Sequence, residues 1–227
     1  MIIGGLQQTS LIDFPEKISA IIFTQGCNFR CSYCHNPELL KAKNTDYSFE
    51  KIMEFLKKRI GKLDGVVITG GEATLQNDLP ECISKIRELG FEIKLDTNGT
   101  NPEMLQNLIN QGLVDYIAMD IKAPLDKYFD ITGLNFNTEK IMQSINIIKS
   151  SGVEYEFRTT VLKKFLDKSD FEKIGDLLDG TKKYYLQKFV SAKILDETLI
   201  DEKNYTDEEF EEIAENLRQK IKIVGVR

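Results

Sequence analysis

Cys27, Cys31 and Cys34 fall within eight positions of one another in the run QGCNFRCSYCHNP. Cysteine thiolates hold iron–sulfur clusters, usually in sets of four. A set of three on one loop would leave one iron of a [4Fe–4S] cluster open to bind and reduce a substrate. The remaining cysteine, Cys82, lies far along the chain in an apolar helical pattern with Ile83, Ile86 and Leu89, and reads as a small buried thiol. Structural zinc is the alternative, with His35, the single histidine, as fourth ligand. Zinc takes four tetrahedral ligands, normally as two pairs from separated segments. Cys34 and His35 are neighbours, so one ion could take both only through a strained backbone. A disulfide framework fits less well, because four cysteines in 227 residues are too sparse for a small secreted scaffold.

Elements must position this loop, and the chain reads as a strand-then-helix alternation. Such βα units imply an α/β fold with a parallel sheet. The expected strands are 18–23, 66–69, 91–95, 116–119, 154–160 and 184–189. The helices between them carry their own start and stop signals. Ser48 is a natural N-cap ahead of Phe49, Ile52, Met53, Leu56 and Ile60. Asn101-Pro102 opens a helix, since proline suits the first turn, where N–H groups lack partners. Ser169 with Glu172, and Thr206 with Glu209, match capping boxes. Gly61, Gly90, Gly112, Gly152 and Gly180 each follow a helical pattern, where a left-handed C-cap needs glycine. Six units are two short of a closed eight-fold barrel. The expectation is an open (β/α)6 partial TIM-like barrel forming a single domain over 1–227, with a cysteine loop at 24–36 and a C-terminal helix and tail at about 205–227.

Each expected strand delivers polar chemistry at its C-terminal end, the rim on which barrel enzymes build their sites. The first runs into the cysteine loop and the second into Gly70-Gly71-Glu72. The third ends in Asp96-Thr97-Asn98-Gly99 and the fourth in Asp120-Ile121-Lys122. The fifth carries Arg158 and the sixth Gln187. Gly-Gly-Glu alone would be a turn, and Asp96 alone a turn residue. Six polar ends in succession beside three thiols read as a site.

At this point the chain resembles a known family. CNFRCSYC has the C-x3-C-x2-C spacing of the radical S-adenosylmethionine (SAM) superfamily, with Tyr33 as the aromatic before the last cysteine. The extension CHNP and the preceding GLQQTSLIDFPEKISAIIFTQGC resemble the activating enzymes of glycyl radical enzymes, above all those of anaerobic ribonucleoside-triphosphate reductase. The similarity runs from Gly5 to about Phe189. It implies a [4Fe–4S] cluster on Cys27, Cys31 and Cys34, with SAM as second cofactor. It also implies that Gly70, Gly71 and Glu72 bind the amino group of SAM, and that the D-x-K pattern of Asp120 and Lys122 contacts it. Asp96 suits the methionine ammonium or ribose hydroxyls, and Lys122 the carboxylate. Tyr33 is expected either to stack on adenine or to pack under the loop. Asn36, with His35, is expected to shape the loop or touch SAM, and Arg158 and Gln187 are expected on the same rim.

The implied reaction is reductive cleavage of SAM to a 5′-deoxyadenosyl radical. That radical takes a hydrogen atom from a glycine α-carbon in a partner enzyme. The alternative is a radical SAM enzyme acting on another glycyl radical enzyme, such as pyruvate formate-lyase, or on a small metabolite. The implied electron donor is reduced flavodoxin or ferredoxin. Residues 128–138, a long connection after the fourth strand, are expected to serve as a lid or docking loop. The acidic stretch 196–215 is expected to be a solvated loop and helix face.

Bulk properties agree with a cytoplasmic enzyme. The 41% hydrophobic content supports a sizeable core, and no run approaches the length needed to span a bilayer. The N-terminus lacks the basic flank of a signal peptide. Net charge −6 and a pI near 5.1 argue against a nucleic-acid-binding face.

Overall fold

In the computed structural model, which describes residues 1–41, 43 and 45–227, the chain forms one eight-stranded sheet in the order β1 to β8. β1 (Ile3–Ser10) pairs antiparallel with β2 (Ser19–Thr24). From β2 onward every pairing is parallel, through β3 (Gly65–Gly70), β4 (Glu92–Thr97), β5 (Tyr116–Asp120), β6 (Glu154–Val161), β7 (Lys183–Lys188) and β8 (Ile223–Val226). β1 and β8 are the two edges of this order and do not pair, so the curved sheet stays open on one side. The six expected strands are β2 to β7. The two edge strands escaped the sequence reading: β1 carries a polar, glycine-containing pattern, and β8 is only four residues long.

The helices lie against the outer face of the sheet: α1 (Phe49–Lys57), α2 (Leu79–Arg87), α3 (Pro102–Asn110), the short α4 (Tyr128–Thr132), α5 (Glu139–Ser150), α6 (Lys168–Leu177) and α7 (Asp207–Leu217). Ala20, Ile22, Val66, Ile68, Ile93 and Leu95 are fully buried on that face beside Ile52, Leu56, Ile83 and Leu105 from the helices. Removing each such aliphatic side chain from water contributes about 1.5–3 kcal/mol, which is why β2 and β3 read as near-continuous apolar runs. The opposite face carries a smaller apolar set, Phe14, Ile21, Val67 and Tyr116.

Local signals mostly hold. Ser48 and Asn101 cap α1 and α3, accepting from the amides of Lys51 and Met104. Thr206 and Glu209 form the expected capping box on α7. The box on α6 sits two residues earlier than expected: Asp167 is the N-cap and Asp170 its reciprocal partner, because Asp167 Oδ1 reaches the amides of Ser169 (2.8 Å) and Asp170 (3.2 Å). The five glycines named as stops all adopt positive φ, between 63° and 91°. Cys82 is buried in α2 and faces Asp78, away from the other three cysteines.

Candidate functional site

The C-terminal ends of β2 to β7 surround a cavity of about 470 Å³. Its volume falls in the range of small-ligand pockets, about 300–1,000 Å³. Cys27, Cys31 and Cys34 line it together with Asp96, Asp120, Lys122, Arg158 and Gln187. Ile21, Phe23 and Val67 add apolar side chains to the same lining. Tyr33, Asn36, Gly70, Gly71 and Glu72 also face this space, so the tertiary structure brings every expected site residue to one cavity.

The cysteine loop leaves β2 and is tied down along its length. Gly26 N–H donates to Leu39 O (2.7 Å), and Arg30 N–H donates to Thr132 O at the end of α4 (2.8 Å). Phe29, Tyr128 and Phe136 pack as an aromatic trio, with ring centroids 5.4–6.5 Å apart. Residues 128–138 were expected as a lid or docking loop. The structure corrects this for their inner half: Tyr128, Ile131 and Thr132 are buried, and they buttress the loop from beneath. Burial pushes the Cys27 thiol up to about 12 and raises Cys31 as well. Metal binding must therefore displace these protons.

Gly70 and Gly71 bring the end of β3 against the root of that loop. Gly71 N–H donates to Thr24 O (2.9 Å) and Glu72 N–H to Gly26 O (2.8 Å). A Cβ on Gly71 would lie 2.2 Å from Gly26 O, and Gly70 has φ +117°. The glycines thus admit backbone against backbone. The Glu72 side chain is 1% exposed. Its Oε1 accepts from Thr74 N (3.1 Å), Thr74 Oγ1 (2.5 Å) and Thr97 Oγ1 (2.7 Å), and its Oε2 from Asn98 N (2.6 Å). Burial still pushes this carboxyl up, against those four donors. Asn98 Nδ2 continues the network to Asn28 Oδ1 inside the cysteine loop (2.9 Å), and Asn28 Nδ2 reaches Thr100 Oγ1 (2.9 Å). Asn28, Thr97 and Asn98 were missed as site residues. Only the DTNG turn hinted at two of them, and nothing in CNFRC sets Asn28 apart from a solvated loop residue.

Across the cavity runs a chain of charges. Lys94 Nζ lies 2.8 Å from Asp96 Oδ1, and Arg158 bridges Asp96 Oδ2 (3.0 Å) and Asp120 Oδ1 (2.6 Å). Lys122 Nζ takes Asp120 Oδ2 at 2.8 Å and lies 6.0 Å from the Tyr33 ring. Burial alone would raise Asp120, but Arg158 and Lys122 outweigh it and hold the carboxyl well below the usual carboxylate range. Of these, Asp96, Asp120, Lys122 and Arg158 line the cavity, so the wall offers both carboxylates and cations to the polar groups of a ligand. The Tyr33 hydroxyl is buried and has no hydrogen-bond partner among the described residues. The ring packs beneath the loop and also reaches the cavity, so both expectations for it remain compatible with its position.

The donor set fits an iron–sulfur cluster. Three soft thiols line one cavity that is large enough to hold a ligand beside them. Among the described residues no three His, Cys, Asp or Glu side chains close on a single-ion position. The His35 ring is committed elsewhere, with Nε2 at 2.9 Å from Val190 O.

An open α/β barrel with three thiols on the loop after its first parallel strand defines a radical SAM enzyme, and residues 21–178 match the profile of the Radical SAM superfamily, to which the chain belongs. Membership implies a [4Fe–4S] cluster and SAM as cofactors. Relatives named as activating enzymes stand beside others named for different reactions, such as a 7-carboxy-7-deazaguanine synthase of Aquifex aeolicus. A protein of Methanocaldococcus jannaschii described as a candidate glycyl-radical enzyme activating enzyme is 36% identical over 86% of this chain and 83% of its own length. The pyruvate formate-lyase-activating enzyme of Streptococcus mutans is 27% identical over 80% of this chain and 73% of its own length. The structure of SuiB from Streptococcus suis bound to its precursor peptide SuiA superposes with a TM-score of 0.68 over 90% of this chain, at 14% identity. The chain spans about half of SuiB, and the likeness is one of fold.

Proposed function

We propose that this chain activates a glycyl radical enzyme by removing a hydrogen atom from a backbone glycine, and that its partner is anaerobic ribonucleoside-triphosphate reductase. The observation that carries this reading is the cavity itself: thiols, charged rim and apolar sheet wall share one space inside a sheet that is open on one side. Bound there, the cluster and SAM supply one-electron reductive cleavage and the hydrogen-abstracting species. Cys27, Cys31 and Cys34 hold the cluster, and Gly70, Gly71 and Glu72 hold the rim against it. Asp96, Asp120, Lys122 and Arg158 orient the polar ends of SAM, with Tyr33, Asn36 and Gln187 at its borders. Ile21, Phe23 and Val67 keep water from the abstraction path. The open side admits a glycine-bearing loop, which a closed barrel would exclude. The stretch GLQQTSLIDFPEKISAIIFTQGC supports the reductase as partner. The likeness to the S. mutans enzyme supports a second reading, in which the partner is pyruvate formate-lyase. The proposed electron donor is reduced flavodoxin or ferredoxin, and the proposed location is the cytoplasm. No helix among the described residues is long and apolar enough to cross a membrane.

The test uses anaerobically reconstituted protein, reductant and SAM with each partner in turn. With the reductase, electron paramagnetic resonance should show an organic radical doublet from the remaining α-hydrogen, and deuterium from α-deuterated glycine should appear in 5′-deoxyadenosine. A radical on pyruvate formate-lyase alone selects the second reading. Deuterium arriving only from a small metabolite overturns both.

A further inference from the structure

The stretch 196–215 was expected to be a solvated loop and helix face, yet its first residue and three of the six before it bond to residues 32–38. Asp196 N–H donates to Ser32 O (2.9 Å) and Leu195 N–H to Cys34 O (3.0 Å). His35 Nε2 meets Val190 O at 2.9 Å, and Lys193 Nζ pairs with Glu38 Oε2 at 2.8 Å. Among the described residues, the hydrogen bonds and ion pairs that leave 32–38 for a distant element all end within 190–196. The earlier part of the loop is held by other segments, through Leu39 O and Thr132 O. The stretch is itself anchored. Ile194 and Leu199 are buried, and Asp196 caps the 3-10 turn Glu197–Leu199 through the amide of Thr198.

We infer that residues 190–196 are a strap that fixes the Cys34 end of the loop in the geometry the cluster needs, with Leu195 and Asp196 as positioning residues acting through their backbone N–H groups. The inference rests on the reading that Cys27, Cys31 and Cys34 hold the cluster. A three-thiolate set has no fourth protein ligand to keep the metal in place when one sulfur lets go, so retention depends on how well the loop is preorganised. The two strap amides clamp the carbonyls of Ser32 and Cys34, which flank Tyr33 and set the direction of the last thiol. Loosening them frees Cys34 to swing away, and detachment of one ligand is the first step of iron loss.

Proline at position 195 deletes the donor, whereas alanine keeps it. Leu195 is 38% exposed, and the alanine variant is the control for the packing that its side chain contributes. Wild type, Leu195→Ala, Leu195→Pro and Lys193→Glu are reconstituted as full-length protein, and iron transfer to a ferrous chelator is timed without oxygen. Leu195→Pro should lose iron about three- to ten-fold faster than Leu195→Ala, as expected for one net hydrogen bond. Lys193→Glu should be about two-fold faster than wild type. The apo-protein melting temperature of Leu195→Pro should lie within about 2–4 °C of that of Leu195→Ala, as the loss of one net hydrogen bond allows, whereas a general packing defect would lower it further. Hydrogen exchange at the Leu195 and Asp196 amides should slow when the wild-type cluster is loaded. Equal iron loss from the proline and alanine variants overturns the strap. If the proline variant does not load, equal exchange at those amides in apo and loaded wild type overturns it. Wild-type protein that takes up no iron refutes the thiol reading instead.

Discussion

Replacing Glu72 with glutamine separates two roles for this buried carboxylate. In the structure its two oxygens accept four bonds from Thr74, Thr97 and Asn98. Glutamine keeps the shape but can present only one acceptor oxygen. Placed toward the three donors at Oε1, that oxygen leaves an NH2 facing the Asn98 N–H, where 2.6 Å now separates carboxylate from donor. One charge-assisted bond becomes a donor–donor contact in a site closed to water, a loss of about 1–3 kcal/mol. The neutral amide also relieves the desolvation of a buried charge, which keeps the net estimate near 2 kcal/mol. For a domain of this size that lowers the melting temperature by roughly 4–8 °C. The assay is thermal unfolding of the apo-protein by circular dichroism, with calorimetric SAM binding on the reconstituted variant. The reasoning fails if the melting temperature is unchanged while SAM affinity falls ten- to hundred-fold. That result would make Glu72 a direct ligand contact and not the tie between the Gly70-Gly71 rim and the DTNG turn.

Gly71→Ala should cost about 1–3 kcal/mol and lower cluster incorporation, because its Cβ would meet Gly26 O at 2.2 Å and only movement of the loop root relieves the overlap; iron content and melting temperature check it. Cys31→Ala should abolish cluster incorporation, while Cys82→Ala, buried in α2, should retain about four irons per chain; iron and sulfide analysis decides between them. Asp120 has its folded-state carboxyl held below the unfolded value, so its pair with Arg158 and Lys122 stabilises fully above about pH 4 and is lost as pH falls further. Asp120→Asn should accordingly flatten the acid limb of a stability-versus-pH curve below about pH 4, and an unchanged limb would show that the charges are paired without consequence.

The three thiols, the strand ends and the helix caps were legible in the chain because each rests on local chemistry. A thiolate triad needs only spacing, and Ser48, Asn101 and Thr206 satisfy amides within the same turn. The six inner strands announced themselves through apolar runs, since a parallel sheet covered on its outer face leaves little room for polar residues there. Edge strands carry no such constraint: β1 has a polar, half-exposed pattern, and β8 is too short to show a period.

What only the tertiary structure decided is which polar group meets which. Sequence marks Asp96, Asp120, Lys122 and Arg158 as rim residues, but strand register sets Arg158 opposite Asp120 and within reach of Asp96. Gly70-Gly71 reads as room for a ligand and does line the cavity, but the side on which a Cβ would stand is taken by the backbone of Thr24 and Gly26. Glu72 reads as a charge on offer, and its bonds to Thr97 and Asn98 cross 25 and 26 positions of chain. The strap over Cys34 is the extreme case, with Leu195 and Ser32–Glu38 separated by most of the barrel. Backbone amides donate whatever side chain they carry, so a contact made through them leaves no mark in the residue types on either side.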